Sequence, residues 1–230
     1  MVILRSKSPL VQSAAHTALA SISHTNIEYR ETLRNVILSH LLIASDTLIE
    51  FSVDAIKSWI GPDLAKLNDF ATLFSLASHT DRRIQTAALF SLKQRLQNRD
   101  YQESLEKANV VYLIRSLSSS DNPSAVSFVA EALTSLAPSL ARNGHMSVML
   151  QLLLSVEPKI KEAAAAALEA VANCSTHERK HLLKEDIIER LMGNQPLDQT
   201  LLHLLSSIIP KLAFDYLDAG KIDFLLTLVE

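Results

Sequence analysis

Apolar and polar residues along this chain follow a helical rhythm, and one stretch of that rhythm recurs six times. The copies run Pro9–Ile22, Asp46–Trp59, Arg82–Arg95, Pro123–Leu136, Pro158–Val171 and Gln195–Ile208. Each opens on a small or charged start, passes a paired small-residue step, and reaches an apolar anchor three residues before its end. The anchors Leu19, Ile56, Leu92, Leu133, Leu168 and Leu205 lie 37, 36, 41, 35 and 37 residues apart. A period of that size predicts a solenoid, in which each unit buries its apolar face against its neighbours. It also moves the expected seat of function from an enclosed pocket to an extended surface.

Residues 98–136 show what one period contains. Asn98-Arg-Asp100 is polar, with Asp100 the expected helix cap. Tyr101, Leu105 and Ala108 share one face of a short amphipathic helix that Asn109 ends, and Val110–Leu117 reads as a second, more apolar helix. A turn over Ser118–Asn122 offers Asp121 or Asn122 as a cap, with Pro123 at the first position of a third helix. That helix places Val126, Val129, Ala130, Leu133 and Leu136 on one side. The unit therefore holds three helices in roughly 40 residues. Ala14-Ala15, Ala87-Ala88 and Ala163-Ala164 fall where neighbouring third helices would cross, and small side chains let their axes approach. Phe51-Ser52, Phe128-Val129 and Thr200-Leu201 break that rule, so stacking is expected to be less regular there.

Composition agrees with closely packed helices. Only 4 of 230 residues are glycine and 5% are aromatic, while 48% are hydrophobic; strand-and-turn folds need more glycine. The net charge of −3 argues against a generic nucleic-acid binder, which carries a basic excess. Cys174 is the one cysteine, so no internal disulfide can form, and a reducing cytoplasmic or nuclear setting is expected. The start Met1–Lys7 has too short an apolar run for a signal peptide, and the most apolar window, Met146–Val156, is too short and too polar to span a bilayer.

The segment Asn98–Leu117 is similar to the first two helices of an armadillo repeat, and the six recurring segments resemble its third helix. Glu28–Leu42, His177–Leu191 and Phe214–Leu228 fit the first two helices as well, the last with a family-like break at Asp218-Ala-Gly220. Residues 61–80 and 137–155, where the first helix is very short, also resemble the two-helix HEAT relative. The resemblance implies an all-α fold: a right-handed α–α superhelix of about six repeats with partial repeats at both ends, forming one domain over residues 1–230. It further implies a concave groove lined by third helices, which holds a partner protein or an extended peptide. In the importin-alpha type, each third helix carries a Trp and, four residues on, an Asn. The matching positions here are Thr17, Asp54, Phe90, Glu131, Ala166 and His203, then Ser21, Ser58, Gln94, Ser135, Ala170 and Ser207. With no Trp and no Asn among them, a receptor for basic signals of that type is not expected. The strongly basic groove of the beta-catenin type is missing too.

A third column one turn earlier adds Ser13, Glu50, Thr86, Ser127, Glu162 and Gln199, since residues at i, i+4 and i+8 share a helix face. The expected groove is polar and mildly acidic, and its candidate contacts are Glu50, Asp54, Ser58, Phe90, Gln94, Glu131, Ser135 and His203. Such a face suits a neutral to basic protein or peptide partner, with no nucleic acid and no membrane span. Phe90 stands out because helix phase turns it away from Ile84, Ala88 and Leu92. The serines and Gln94 offer hydrogen bonds to a peptide backbone.

Chemistry beyond binding is not indicated. Cys174, His177 and His181 are ligand-type residues, but four ligands with a supporting shell are not to be found nearby, so no metal and no cofactor are expected. The chain has no glycine-rich phosphate loop and no G-x-S-x-G, and its histidines are scattered over helices, mostly facing outward by phase. The expectation is a non-enzymatic interaction scaffold. A structural or assembly segment of a larger protein, acting through its ends or convex face, is the alternative, and an unrecognised enzyme a distant one. Met1–Leu4 reads as the end of a middle helix, and Leu228-Val-Glu230 ends another. Both ends thus fall inside a repeat, which favours a fragment of a longer array and also permits head-to-tail self-association.

Overall fold

A computed structural model describes residues 8–41, 46–193 and 198–221; Met1–Leu4, the opening of the sixth copy at Gln195–Leu197 and the final Ile222–Glu230 lie outside them. Every regular element among the described residues is helical. The chain groups into two compact units, Met1–Val110 and Val111–Glu230.

The first unit carries α1 (Pro9–Thr25), α2 (Ile27–His40), α3 (Asp46–Ala55), α4 (Gly61–Lys66), α5 (Phe70–Ala77), α6 (Arg82–Leu96) and α7 (Arg99–Lys107). A π-helical turn over Ile56–Ile60 joins α3 to α4 without a break. The first three recurring segments are α1, α3 with this turn, and α6. The anchors Ile56 and Leu92 are fully buried, as are Ala87 and Ala88, so α6 packs tightly on α3 and the π turn. Phe51 and Ser52 are buried as well. Leu19 in α1 is half-buried.

The second unit carries α8 (Val110–Leu117), α9 (Pro123–Arg142), α10 (Met146–Leu152), α11 (Pro158–Ala172), α12 (Thr176–Lys184), α13 (Ile187–Gly193) and α14 (Gln199–Asp218). Here α9, α11 and α14 are the recurring segments, with α11 packed between the other two. Leu133, Leu168 and Leu205 are buried, and Val129, Ala130, Leu136 and Ala164 join them. Val126, expected on that side, is only half-buried.

Local sequence accounts for the helix starts. Asn98, and not Asp100, caps α7: its side chain accepts from the Asp100 N–H at 3.0 Å. Asp100 then sits in the first turn, where its charge opposes the positive helix end. Asn122 caps α9 by accepting from the Ser124 N–H at 2.9 Å, with Pro123 at the first position.

Two features depart from a uniform three-helix unit. The third helix and the following first helix are fused in α3–α4, α9 and α14; α3–α4 with α5, and α9 with α10, are locally two-helix units where residues 61–80 and 137–155 resemble the HEAT relative. Pro138 and Pro210 stand inside α9 and α14, and Pro62 follows the π turn. The second feature is the corner that follows the first helices; α2, where a first and a second helix were expected over Glu28–Leu42, instead runs unbroken and has none. At the corners Asn68, Asn109 and Asp186 adopt left-handed backbone with φ of 56°, 65° and 47°, and Gly144 and Gly220 do the same at 77° and 71°. These residue types tolerate that region best. The N–H one residue beyond then reaches back into the last helical turn: Asp69 to Leu64 O at 2.8 Å, His145 to Leu140 O at 2.8 Å, Lys221 to Tyr216 O at 2.9 Å.

Candidate functional site

The three outward columns of the third helices are on the surface: no position in them is buried. In the first unit Glu50, Asp54, Ser58 and Gln94 are exposed, and Phe90 keeps 46% of its surface while Ile84, Ala88 and Leu92 on the other side keep none. In the second unit His203 is exposed, whereas Glu131 and Ser135 are half-buried.

Within the first unit α1 lies beside α3, and a depression of about 220 Å³ opens between them. It is lined by Thr17, Asp54 and Ser58 from the columns, and by His16, Phe51 and Trp59. Phe51 and Trp59 are 4% and 2% exposed, so they form an apolar floor, and the His16 ring lies 4.9 Å from that of Phe51. The π turn positions this wall: it begins two residues after Asp54 and contains both Ser58 and Trp59. Such turns widen the helix and re-aim the side chains that follow. Asp54 and Glu50, one turn apart, make no ion pair with any cation among the described residues. Nε2 of His16 is buried and has no hydrogen-bond partner among them. The site is thus an aromatic-floored hollow with unneutralised carboxylate at its rim.

The hydroxyls are less available than the sequence suggested. Ser58 donates to the Asp54 carbonyl at 2.6 Å, and Thr17 to the Ser13 carbonyl at 3.0 Å. Both bonds return to the preceding turn, which leaves the hydroxyl oxygens only as acceptors. Ser207 in the second unit is engaged too: it meets Glu169, which also pairs with Lys211 at 3.1 Å. The Ser207 hydroxyl, and then Lys211, hold the Glu169 carboxyl below its ordinary range. Lys159 Nζ lies 3.5 Å from the Ser127 hydroxyl, which in turn is 3.4 Å from Glu131. The one column acid of α9, Glu131, therefore sits beside a hydroxyl that meets a cation, which the three columns alone did not reveal.

Sequence reasoning missed His16, Phe51 and Trp59, because their helix phase reads as core. It also missed Glu169 and Lys211, which stand just outside the columns. Among the described side chains His16, His40, His79, His145 and His181 are half-buried, so the expectation that histidines mostly face outward is corrected, while His177 and His203 are exposed. The rings of His177 and His181 stand 5.7 Å apart, edge to face, and Cys174 Sγ donates to the Ala170 carbonyl at 3.2 Å. Among the described residues no three His, Cys, Asp or Glu side chains converge as metal ligands.

Solved structures decide the fold. A designed armadillo repeat protein in complex with a (KR)4 peptide matches with a TM-score of 0.56 at 15% identity, over 90% of this chain and 95% of that one. The fold is an armadillo-like α solenoid. A computationally designed armadillo repeat protein for modular peptide recognition matches with a TM-score of 0.57 at 16% identity, over 90% and 96% of the two chains. A further designed armadillo repeat protein matches with a TM-score of 0.53 at 16% identity, over 91% and 96%. No protein-family model and no curated protein matches the sequence. At such identities the likeness concerns the fold alone.

Proposed function

We propose that this armadillo-like solenoid is a non-enzymatic binding scaffold whose third-helix face takes a neutral to basic segment of a partner protein. The observation that carries this reading is the hollow beside Asp54. Its aromatic floor suits an apolar side-chain stem, and its unneutralised carboxylate suits a cationic tip. The buried Nε2 of His16 adds a group that gains from a ligand hydrogen bond. Structural neighbours of this fold are described as peptide binders, one of them with a (KR)4 peptide bound, which makes that peptide a reasonable first probe.

The test is fluorescence anisotropy with a labelled (KR)4 peptide, paired with affinity capture and mass spectrometry to find the natural partner. Reversing the charge in Asp54→Arg removes about 1 kcal/mol of partly screened attraction and adds a similar repulsion, so binding should weaken about tenfold or more. Glu131→Arg, in a site where hydroxyl and lysine already surround the acid, should weaken it less. Unchanged affinity in Asp54→Arg, for the peptide and for the captured partner alike, would remove the third-helix face as the binding surface. It would favour a structural role through other surfaces.

A further inference from the structure

A second hollow, of about 260 Å³, lies between α2 and α4 in the first unit and has the opposite charge character. It is lined by Arg30, Glu31, Arg34, Asp63, Lys66 and Leu67. Arg30 is satisfied. Its Nη2 donates to Asp63 at 2.9 Å, its Nε lies 2.6 Å from the other Asp63 oxygen, and its guanidinium sits 5.4 Å above the Trp59 ring. That arrangement uses up Asp63 and leaves Glu31 to face two further cations.

Arg34 has no carboxylate held as close. Its side chain is only 12% exposed, yet the carboxylate it meets is Glu31 at 3.5 Å, on a side chain that is 72% exposed. A guanidinium with one long contact to a solvated acid keeps donors available to a better-placed acceptor. Lys66 across the hollow is exposed and makes no ion pair among the described residues, and beside it Leu67 leaves 61% of its surface open. A planar donor fork, a mobile ammonium and an open apolar side chain together match one kind of group: a carboxylate on a short apolar stem.

We infer that the α2–α4 hollow is an acceptor site for a glutamate or aspartate side chain of a partner protein, with Arg34 as the bidentate donor and Lys66 as the second cation. This site is separate from the Asp54 hollow and does not rest on the reading given to that one. The two share Trp59, which lines the first and carries Arg30 of the second on its ring.

The test is titration of the 15N-labelled full chain with a terminally blocked hexaglutamate peptide, followed in amide spectra at low salt. Saturable shifts confined to residues 30–37 and 63–67 are expected. Lys66→Glu, at an exposed position that cannot disturb the core, should weaken the response about tenfold. Arg34→Lys, which keeps the charge and loses the fork, should weaken it severalfold. The inference fails if no shifts occur, if they spread over basic residues elsewhere, or if Lys66→Glu responds like the parent. Saturation by a blocked phosphoserine peptide with no response to hexaglutamate would overturn the carboxylate assignment.

Discussion

Gly61 sits at the junction of the π turn with α4, and its replacement by alanine should destabilise the protein although the backbone there is ideal for alanine. At φ −60° and ψ −48° the residue is plainly helical. On propensity alone, Gly→Ala in a helix gains about 1 kcal/mol. A Cβ at Gly61, however, would stand 2.3 Å from Ser91 Oγ, 2.6 Å from Ser91 Cβ and 2.7 Å from the Ile56 carbonyl oxygen. Rotating the Ser91 hydroxyl relieves the first contact only. It also sacrifices the bond from Ser91 Oγ to the Ile56 carbonyl at 3.2 Å, worth about 1 kcal/mol. The Cβ contact falls about 1 Å short of a carbon–carbon optimum near 3.5–4.0 Å, so α6 must retreat from the turn. Overpacking of that kind costs about 1–3 kcal/mol. The net expectation is a loss of about 2 kcal/mol, roughly 4–8 °C in Tm for a chain of this size. Urea and thermal unfolding followed by circular dichroism measure it. Adding Ser91→Gly to Gly61→Ala removes two of the three contacts, so the double variant should lose clearly less than the two single losses combined. A Gly61→Ala variant as stable as the parent, or more so, would refute the close approach of α6 to the turn. So would strict additivity of the pair.

Three further outcomes follow from the same geometry. Arg179 pairs with Asp215 at 2.6 Å, and the Asp215 side chain is only 6% exposed; Arg179→Met should cost about 3 kcal/mol by stranding that charge, while Arg179→Met with Asp215→Leu should recover most of it in urea unfolding. Asp81 caps α6, and hydrogen bonding from the Arg83 side chain, with backbone amides, brings its carboxyl down to about 2. Because the folded value lies below the unfolded one, its stabilisation is complete above about pH 5 and is lost as pH falls through 2. At this partly exposed site it amounts to about 1 kcal/mol, so parent and Asp81→Ala should differ by that much at pH 6, by clearly less at pH 2.5, and converge only below pH 2; a constant difference would refute the linkage. Ser207→Ala should let the Glu169 carboxyl titrate nearer its ordinary range, read by NMR of the side-chain carboxyl carbon, because the Ser207 hydroxyl is the main group lowering it.

The parts of the fold legible in the sequence are those that depend on spacing alone. The anchors Ile56, Leu92, Leu133, Leu168 and Leu205 are buried because a helical period carries each to the same face in every copy. Phe90 is open for the same reason in reverse. Less legible was the corner after the first helices. Asn68, Asn109, Gly144, Asp186 and Gly220 perform one backbone task with three residue types, so no single letter recurs. The fusion of third and first helices is hard to read from the sequence, because Pro62, Pro138 and Pro210 are of the residue type that ordinarily interrupts a helix. Each in fact lies within or beside a continuous helical path, where one missing N–H is tolerated near a surface or a widened turn. The candidate site was half legible. Asp54 and Ser58 follow from column phase, but the hollow needs Phe51 and Trp59 from the flank of the same helical run, and a π turn that no apolar period announces.

These differences bear on where specificity can lie. A solenoid repeats its backbone, so discrimination between partners must come from side chains that break the repeat. Along the columns the breaks are electrostatic. In the first unit Glu50 and Asp54 stand without a cation among the described residues, beside an aromatic floor. In the second unit Ser207 and Glu169 are tied to Lys211, and Glu131 to a serine that meets Lys159. An incoming lysine or arginine gains a new ion pair at Asp54, whereas at Glu169 it must first displace one that already exists. Since a partly exposed pair is worth about 1 kcal/mol at most, that prior commitment cancels most of the gain. The acidic character read from the columns is therefore distributed unevenly in its effect: Glu50, Asp54 and the exposed Glu162 stand without a cation among the described residues, and of these Asp54 alone lines an aromatic-floored hollow.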